Sequence, residues 1–245
     1  MHRFFLTENF QDTMEISGKD GHHISHVLRM KLGEQLQIVS LDQVTALMKI
    51  TDFAGDKVTV KLVERLEQCH EPSVKLILAQ GVPKGDKMDL VVQKAVELGV
   101  CEICPVLMTN CVIKLDEAKA AKKAQRWQKI AEEAAKQSKR DIIPQVQVPM
   151  TLTAMLEKYK DSSLKLIAYE VENQQGLKTV LEAHSSADII LLLIGPEGGI
   201  AKDEWLLAQE AGLKSVSLGQ RILRTETAGL ATLAAILYAT GNLGE

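Results

Sequence analysis

LLLIGPEGGIAKDE (residues 191–204) and SLGQRILRTETAGLATLAAILY (residues 217–238) decide how this chain is read. In each, an apolar run of strand type stops at a glycine, a polar loop follows, and a helical pattern begins. The loops carry Glu197 in the first case and Arg221, Arg224 and Glu226 in the second. In open α/β sheets such loops lie beyond the carboxyl ends of strands, where free backbone groups and helix N-termini gather around a ligand.

Working outward, the same rhythm extends back to Val74. VKLILAQG reads as a strand, DKMDLVVQKAVELG as a helix ending at Gly99, and CEICPVLM as a strand. A long helix follows from about Glu117 to Ser138, then LKLIAYE and DIILLLIG as strands, DEWLLAQEAG as a helix, SVSLG as a strand, and a final helix from about Glu226 to Thr240. Strands alternating with helices predict an α/β fold with a mostly parallel sheet covered on both faces. The final helix is rich in small residues, Ala228, Gly229, Ala231, Thr232, Ala234 and Ala235. These either permit close backbone approach or reflect the helix propensity of alanine.

Residues before about 70 follow another pattern. EQLQIVS, TALMKITDF and KVTVKLVERL alternate as strands, and a short helix over residues 20–30 places Ile24, Val27 and Leu28 on one face. A small barrel with a polar helical edge fits. CHEPS breaks the pattern within residues 68–73, giving domains 1–71 and 72–245.

Composition narrows the function. The chain has 245 residues, 46% of them apolar, with a formal net charge of −3. No apolar run approaches the ~20 residues that span a bilayer, and the N-terminus MHRFFLTENF lacks a signal-peptide pattern. A soluble cytoplasmic protein is expected. The slight negative charge argues against coating nucleic acid by bulk electrostatics, although residues 114–140 hold nine Lys or Arg against four Asp or Glu. Cys69, Cys101, Cys104 and Cys111 do not require disulfides, and the Cys101/Cys104 pair lies in an apolar run with no second pair to complete a zinc set. His22 and His26 are four residues apart, but no third ligand is near in sequence, so no metal is expected.

The familiar catalytic patterns are missing. No GxGxxG follows a strand, and the loop Gly81-Val-Pro-Lys-Gly-Asp-Lys87 has the wrong spacing for a nucleotide-binding loop, with Met88 where a magnesium-binding hydroxyl belongs. Lys84 and Lys87 could still contact RNA phosphates. No serine, histidine and acid grouping stands in a nucleophile context. What remains is a site of backbone, glycine and a few charges, which suits a cofactor that carries its own reactivity. A sulfonium methyl donor needs alignment, a dry pocket and, for a protonated acceptor, a base.

IGPEGG (residues 194–199), LG (218–219) and ILRTETA (222–228) together resemble the RsmE family, whose members are 16S ribosomal RNA uridine N3-methyltransferases of the SPOUT superfamily. HHISHVLRM near the start, KMDLVVQKAVELGV (87–100) and EEAAKQSKRDIIPQV (132–146) extend the resemblance over nearly the whole chain. It implies a PUA-like β-barrel domain before an α/β domain tied in a trefoil knot, a homodimer, and S-adenosylmethionine as methyl donor without a metal. The acceptor would be N3 of one uridine in 16S rRNA of the small ribosomal subunit.

Three loops would hold the cofactor: Tyr169 and Glu170 in one; Leu193, Ile194, Gly195, Pro196 and Gly199 in the next; Leu218, Gly219, Ile222, Leu223 and Arg224 in the last. Uracil N3 carries a proton near neutral pH, so transfer needs a base or stabilisation of the anion. Arg224 is the candidate stabiliser, while Glu197 and Glu226 are either bases or structural caps. RNA would meet Arg3, His22, His23, His26 and Arg29 of the barrel and Lys84, Lys87, Lys94 and Arg140 of the second domain, unless Lys94 pairs with Glu97 or Asp89. Two rivals are a SPOUT enzyme acting on another nucleotide and a noncatalytic rRNA-binding assembly factor.

Overall fold

A computed structural model of the chain describes residues 1–67, 70–170 and 175–244. Gln68 and Cys69, in the stretch read as the domain boundary, lie outside the described residues. The chain divides into two units, Met1–Glu71 with Ala135–Ile142, and Pro72–Ala134 with Ile143–Glu245.

In the first unit β1 (Arg3–Phe5), β2 (Thr13–Ile16), β3 (Gln35–Val39), β4 (Thr45–Ala54) and β5 (Lys57–Arg65) form one sheet in the order β1-β3-β4-β5-β2. Alternation along β4 and β5 sends Met48, Ile50, Val58 and Val60 into a core shared with Phe4, Ile24, Leu36 and Ile38. The single helix expected over residues 20–30 is instead α1 (Gly18–His22) running into a π turn (His23–Val27). The Leu28 N–H reaches back to the carbonyl of His23 at 2.8 Å. The extra residue per turn rotates Val27, expected on the buried face, out into solvent while Ile24 stays buried.

Residues 135–142, read as part of the second domain, group with the first. Side-chain bonds account for this. Buried Arg3 donates to the Arg140 carbonyl and to the Asp141 carboxylate, both at 2.8 Å. Asp141 also accepts from the Thr45 hydroxyl at 3.0 Å and the His70 backbone N–H at 2.6 Å. Arg140 is buried as well and pairs with Glu71. Two guanidinium groups expected to meet RNA, those of Arg3 and Arg140, are therefore internal ties, since a buried charge must keep its partner.

The second unit holds β6 (Lys75–Gly81), α2 (Lys87–Leu98), β7 (Glu102–Leu107), most of α3 (Glu117–Gln137), β8 (Gln145–Val146), β9 (Met150–Thr151), α4 (Leu152–Lys158), β10 (Leu164–Ala168), α5 (Leu177–Ala183), β11 (Ile189–Ile194), α6 (Lys202–Glu210), β12 (Lys214–Val216) and α7 (Thr225–Ala239). The strands pair in parallel in the order β12-β10-β11-β6-β7-β8, with β9 also on β7. Central β6 and β11 are apolar and buried along nearly their whole length, as strands covered on both faces must be. Gly99, at φ +109°, ends α2 in a left-handed conformation that an L side chain rarely adopts.

Cys104 is part of this core, and burial pushes its thiol pKa up to about 12. The small residues of α7 have an internal partner. A Cβ at Gly229 would sit 3.2 Å from Gln80 Oε1 and 3.6 Å from side-chain carbons of Leu78 and Ile194, so the helix lies close over β6 and β11.

Candidate active site

β12, β10, β11 and β6 are adjacent and parallel, so the loops after them emerge at one edge of the sheet. They enclose a cavity of about 440 Å³, within the ~300–1,000 Å³ of small-molecule sites. Tyr169 and Glu170 line it from the β10 loop, Ile194, Gly195, Pro196, Glu197 and Gly199 from the β11 loop, and residues 217–225 from the loop before α7. Lys84 and Lys87 close it from the β6 side.

Leu193, assigned to this pocket in the sequence reading, does not line it. It faces the hydrophobic core, because neighbouring residues on a strand point to opposite faces.

The loops are held by tight backbone contacts. A Cβ at Gly81 would lie 2.6 Å from the Pro196 nitrogen, so β6 and the β11 loop approach more closely than any side chain permits. Gly199 turns at φ +72°, and a Cβ there would meet Glu170 Oε1 at 3.1 Å. Asn110 donates to the carbonyls of Gly198 and Gly199 at 3.0 and 3.2 Å. Tyr169 stacks on Trp205 with centroids 5.2 Å apart, and the Trp205 indole N–H is fixed by Ser215 at 2.8 Å. Sequence reasoning missed Asn110 and Trp205; both act from outside the glycine-rich loops that drew attention.

A buried polar relay joins two of the walls. Gln80 Nε2 donates to the Thr225 hydroxyl at 2.8 Å, and that hydroxyl donates to the Gly195 carbonyl at 2.6 Å. Thr225 begins α7, so the relay ties the helix start to the β11 loop. Among the described residues, Gln80 Oε1 has no hydrogen-bond partner although it is buried. Such an atom costs about 1–3 kcal/mol, a cost retained where it fixes this junction.

The three charged candidates differ sharply. Arg224 is the N-cap residue of α7, exposed and making no side-chain capping bond. A cation at a helix N-terminus gains nothing from the dipole, so helix stability does not account for it. Glu226 is an acid in the first turn, where the dipole favours it, and its Oε2 lies 3.3 Å from Lys87 Nζ without hydrogen-bond geometry.

Glu197 accepts from Lys87 Nζ at 2.9 Å and from the Lys84 backbone N–H at 3.2 Å. Burial pushes its carboxyl upward, but the bonds from Lys87, its own backbone N–H and Lys84 outweigh burial and hold it below the ordinary carboxylate value. Lys87, bonded to Glu197 and beside Glu226, is held above the ordinary lysine value.

The remaining RNA candidates also separate. Lys94 is engaged with Glu97 at 2.8 Å, the alternative already open in the sequence. Lys84 and Arg29 are exposed. His22, His23 and His26 are exposed on α1 and the π turn, and the first and third face Asp56.

The chain matches the model of an RNA methyltransferase domain over residues 70–237 and that of an RNA methyltransferase PUA domain over residues 16–63. It is 36% identical to ribosomal RNA small subunit methyltransferase E of Bacillus subtilis, over 98% of this chain and 97% of that protein. The chain belongs to the RsmE family. Among solved structures it is similar to the RsmE enzyme of Neisseria gonorrhoeae bound to S-adenosyl methionine, at 31% identity, TM-score 0.87 and 97% coverage of both chains. A putative methyltransferase of Legionella pneumophila with bound cofactor SAM is also similar, at 33% identity, TM-score 0.86 and 97% of both chains. In this RsmE family member the first unit contains the segment matched as a PUA domain, and the cavity lies within the methyltransferase segment.

Proposed function

We propose that the cavity binds S-adenosylmethionine and that the chain transfers its methyl group to N3 of one uridine in 16S rRNA of the small ribosomal subunit. The observation that carries this reading is the convergence of three loops on one cavity, two of them contributing glycines, Gly195 and Gly199 from one and Gly219 from the other. The close approach of Glu170 at Gly199, which leaves little room for a Cβ, and the positive φ of Gly219 fit a cofactor gripped by backbone. Bound there, the sulfonium supplies an electrophilic methyl with a neutral thioether leaving group.

The chain's own residues prepare the acceptor. Arg224 lies at the cavity wall with its charge available to the O2 and O4 oxygens, over which the uracil anion spreads its charge. Glu197 is a poor base because three donors hold it ionised; its role is to fix Lys87 and the β6 loop. Glu226 does not line the cavity and its buried Oε2 lies 3.3 Å from Lys87 Nζ, so it too suits the structural role, and the N3 proton leaves to solvent while Arg224 stabilises the anion. Loss of that proton would leave on N3 the electron pair that accepts the methyl group.

RNA is met by His22, His23, His26 and Arg29 on the first unit and by Lys84 on the second, while burial with internal partners removes Arg3 and Arg140 from that role, and Lys87 and Lys94 are engaged with Glu197 and Glu97. We also read the second unit as a SPOUT trefoil knot and the protein as a cytoplasmic homodimer. The crossed strand order supports the knot, and the exposure of Ile222 and Tyr238 supports the homodimer. Among the described residues, no helix is long and apolar enough to cross a membrane.

The test is methyl transfer from labelled S-adenosylmethionine into small subunits lacking the modification, followed by nuclease digestion and mass spectrometry. 3-Methyluridine supports the proposal, another methylated nucleoside replaces its acceptor, and absence of transfer favours a noncatalytic rRNA-binding factor.

A further inference from the structure

Outside the cavity, one group of side chains has the makings of a second site. His22 ends α1, His26 lies in the π turn, and their rings are 4.6 Å apart between centroids. The third member comes from the turn between β4 and β5, thirty residues further along. Asp56 Oδ2 lies 3.3 Å from His22 Nδ1, and Oδ1 lies 2.8 Å from His26 Nε2. One ligand atom from each of the three falls within 4.8 Å of the other two.

We propose that His22, His26 and Asp56 form a binding site for a divalent transition-metal ion of the zinc, cobalt or nickel type. Two imidazoles and one carboxylate are the donors such borderline ions prefer, whereas magnesium and calcium favour all-oxygen sets. Donors about 2.0–2.1 Å from a tetrahedral ion are about 3.3 Å from one another, so the His22–Asp56 separation of 3.3 Å already matches, while the His26–Asp56 contact at 2.8 Å must open by about half an ångström.

The elements bearing the donors are fixed in advance. Gly21 is buried against the β4–β5 turn, and a Cβ there would overlap the Asp56 carbonyl oxygen. Gly55, at φ +65°, forms the turn, and Ser25 Oγ lies 3.5 Å from its carbonyl. Side-chain exposures of 57%, 58% and 50% let an ion enter without unfolding. Three protein donors leave coordination positions open to solvent for water or another oxygen ligand. The site does not depend on the cofactor cavity, and an ion held there would take His22 and His26 from the direct RNA contacts proposed above.

The test uses the full-length chain without an affinity tag, stripped with chelator and titrated with Co²⁺ and then Zn²⁺. Saturable binding of one Co²⁺ per chain is expected, with visible ligand-field bands and no near-ultraviolet thiolate charge-transfer band. Zn²⁺ should displace it. His26→Ala and Asp56→Asn should each weaken binding by more than the ~10-fold typical of losing an outer-shell partner, while apo-protein Tm stays unchanged. In wild type Zn²⁺ should raise Tm, and in the two variants it should not. No saturable binding, affinity unchanged in both variants, or a thiolate band pointing to cysteine would each overturn the proposal.

Discussion

Arg224 and Asp141 illustrate two ways of using charge. Arg224 is an exposed cation at a helix start that its dipole does not favour, and the proposed function gives it the uracil anion to stabilise. Replacing it with Ala should lower kcat by about 10²–10³-fold, with S-adenosylmethionine affinity nearly unchanged, as single-turnover rates and cofactor titration would reveal. A large loss of cofactor affinity at unchanged kcat would instead make Arg224 a cofactor residue. Asp141 is internal. Burial raises its carboxyl, but the His70 N–H, Thr45 hydroxyl and Arg3 guanidinium outweigh burial and leave it below the ordinary value. Its contribution to stability is therefore complete above the ordinary Asp value near ~3.9 and disappears as pH falls through the depressed folded value. Urea melts of Asp141→Asn should show a deficit at pH 7 that shrinks toward pH 2; a constant deficit would contradict this role.

Among the elements, β6 and the β11 loop share the least spare room. At Gly81 an added methyl meets the Pro196 nitrogen and Gly195 carbonyl carbon, backbone atoms that cannot swing aside. Gly81→Ala should cost about 1–3 kcal/mol and weaken cofactor binding, measured by denaturant melts and calorimetry. Most long elements were legible in the sequence, since VKLILAQG and DIILLLIG are apolar runs of strand length and the α7 pattern begins beside Glu226. The short β1, β2, β8 and β9 were not, because two to four residues carry no readable period. Neither could periodicity reveal the π turn, whose extra residue breaks the 3.6-residue pattern that predicted Val27 inward. Of the site, the glycines and charges of the loops could be read. Asn110, Trp205 and the Gln80–Thr225 relay could not, because their partners lie 88, 10 and 145 residues away.

For the molecule as a whole, the proposed function gives RNA contact to both units and methyl transfer to the second. The first combines the segment matched as a PUA domain with the exposed helical histidines, and the second encloses the cavity. Affinity for the ribosomal subunit should fall with salt in proportion to the phosphates contacted. Lys84→Glu should lessen the slope of log K against log salt by about one, because the exposed Lys84 side chain is free of the internal pairing that occupies Lys94. An unchanged slope would exclude Lys84 from the RNA surface.

Trp205 packs against Tyr169 at the cavity wall, and the chain's other tryptophan, Trp127, is buried in α3 with its indole N–H on Asp89. This arrangement gives the protein an optical reporter of its own. With Trp127→Phe as background, quenching or a spectral shift of Trp205 emission should follow cofactor occupancy, so that binding can be timed by stopped flow without a label. Emission indifferent to saturating S-adenosylhomocysteine would mean that the Tyr169 wall does not feel the ligand.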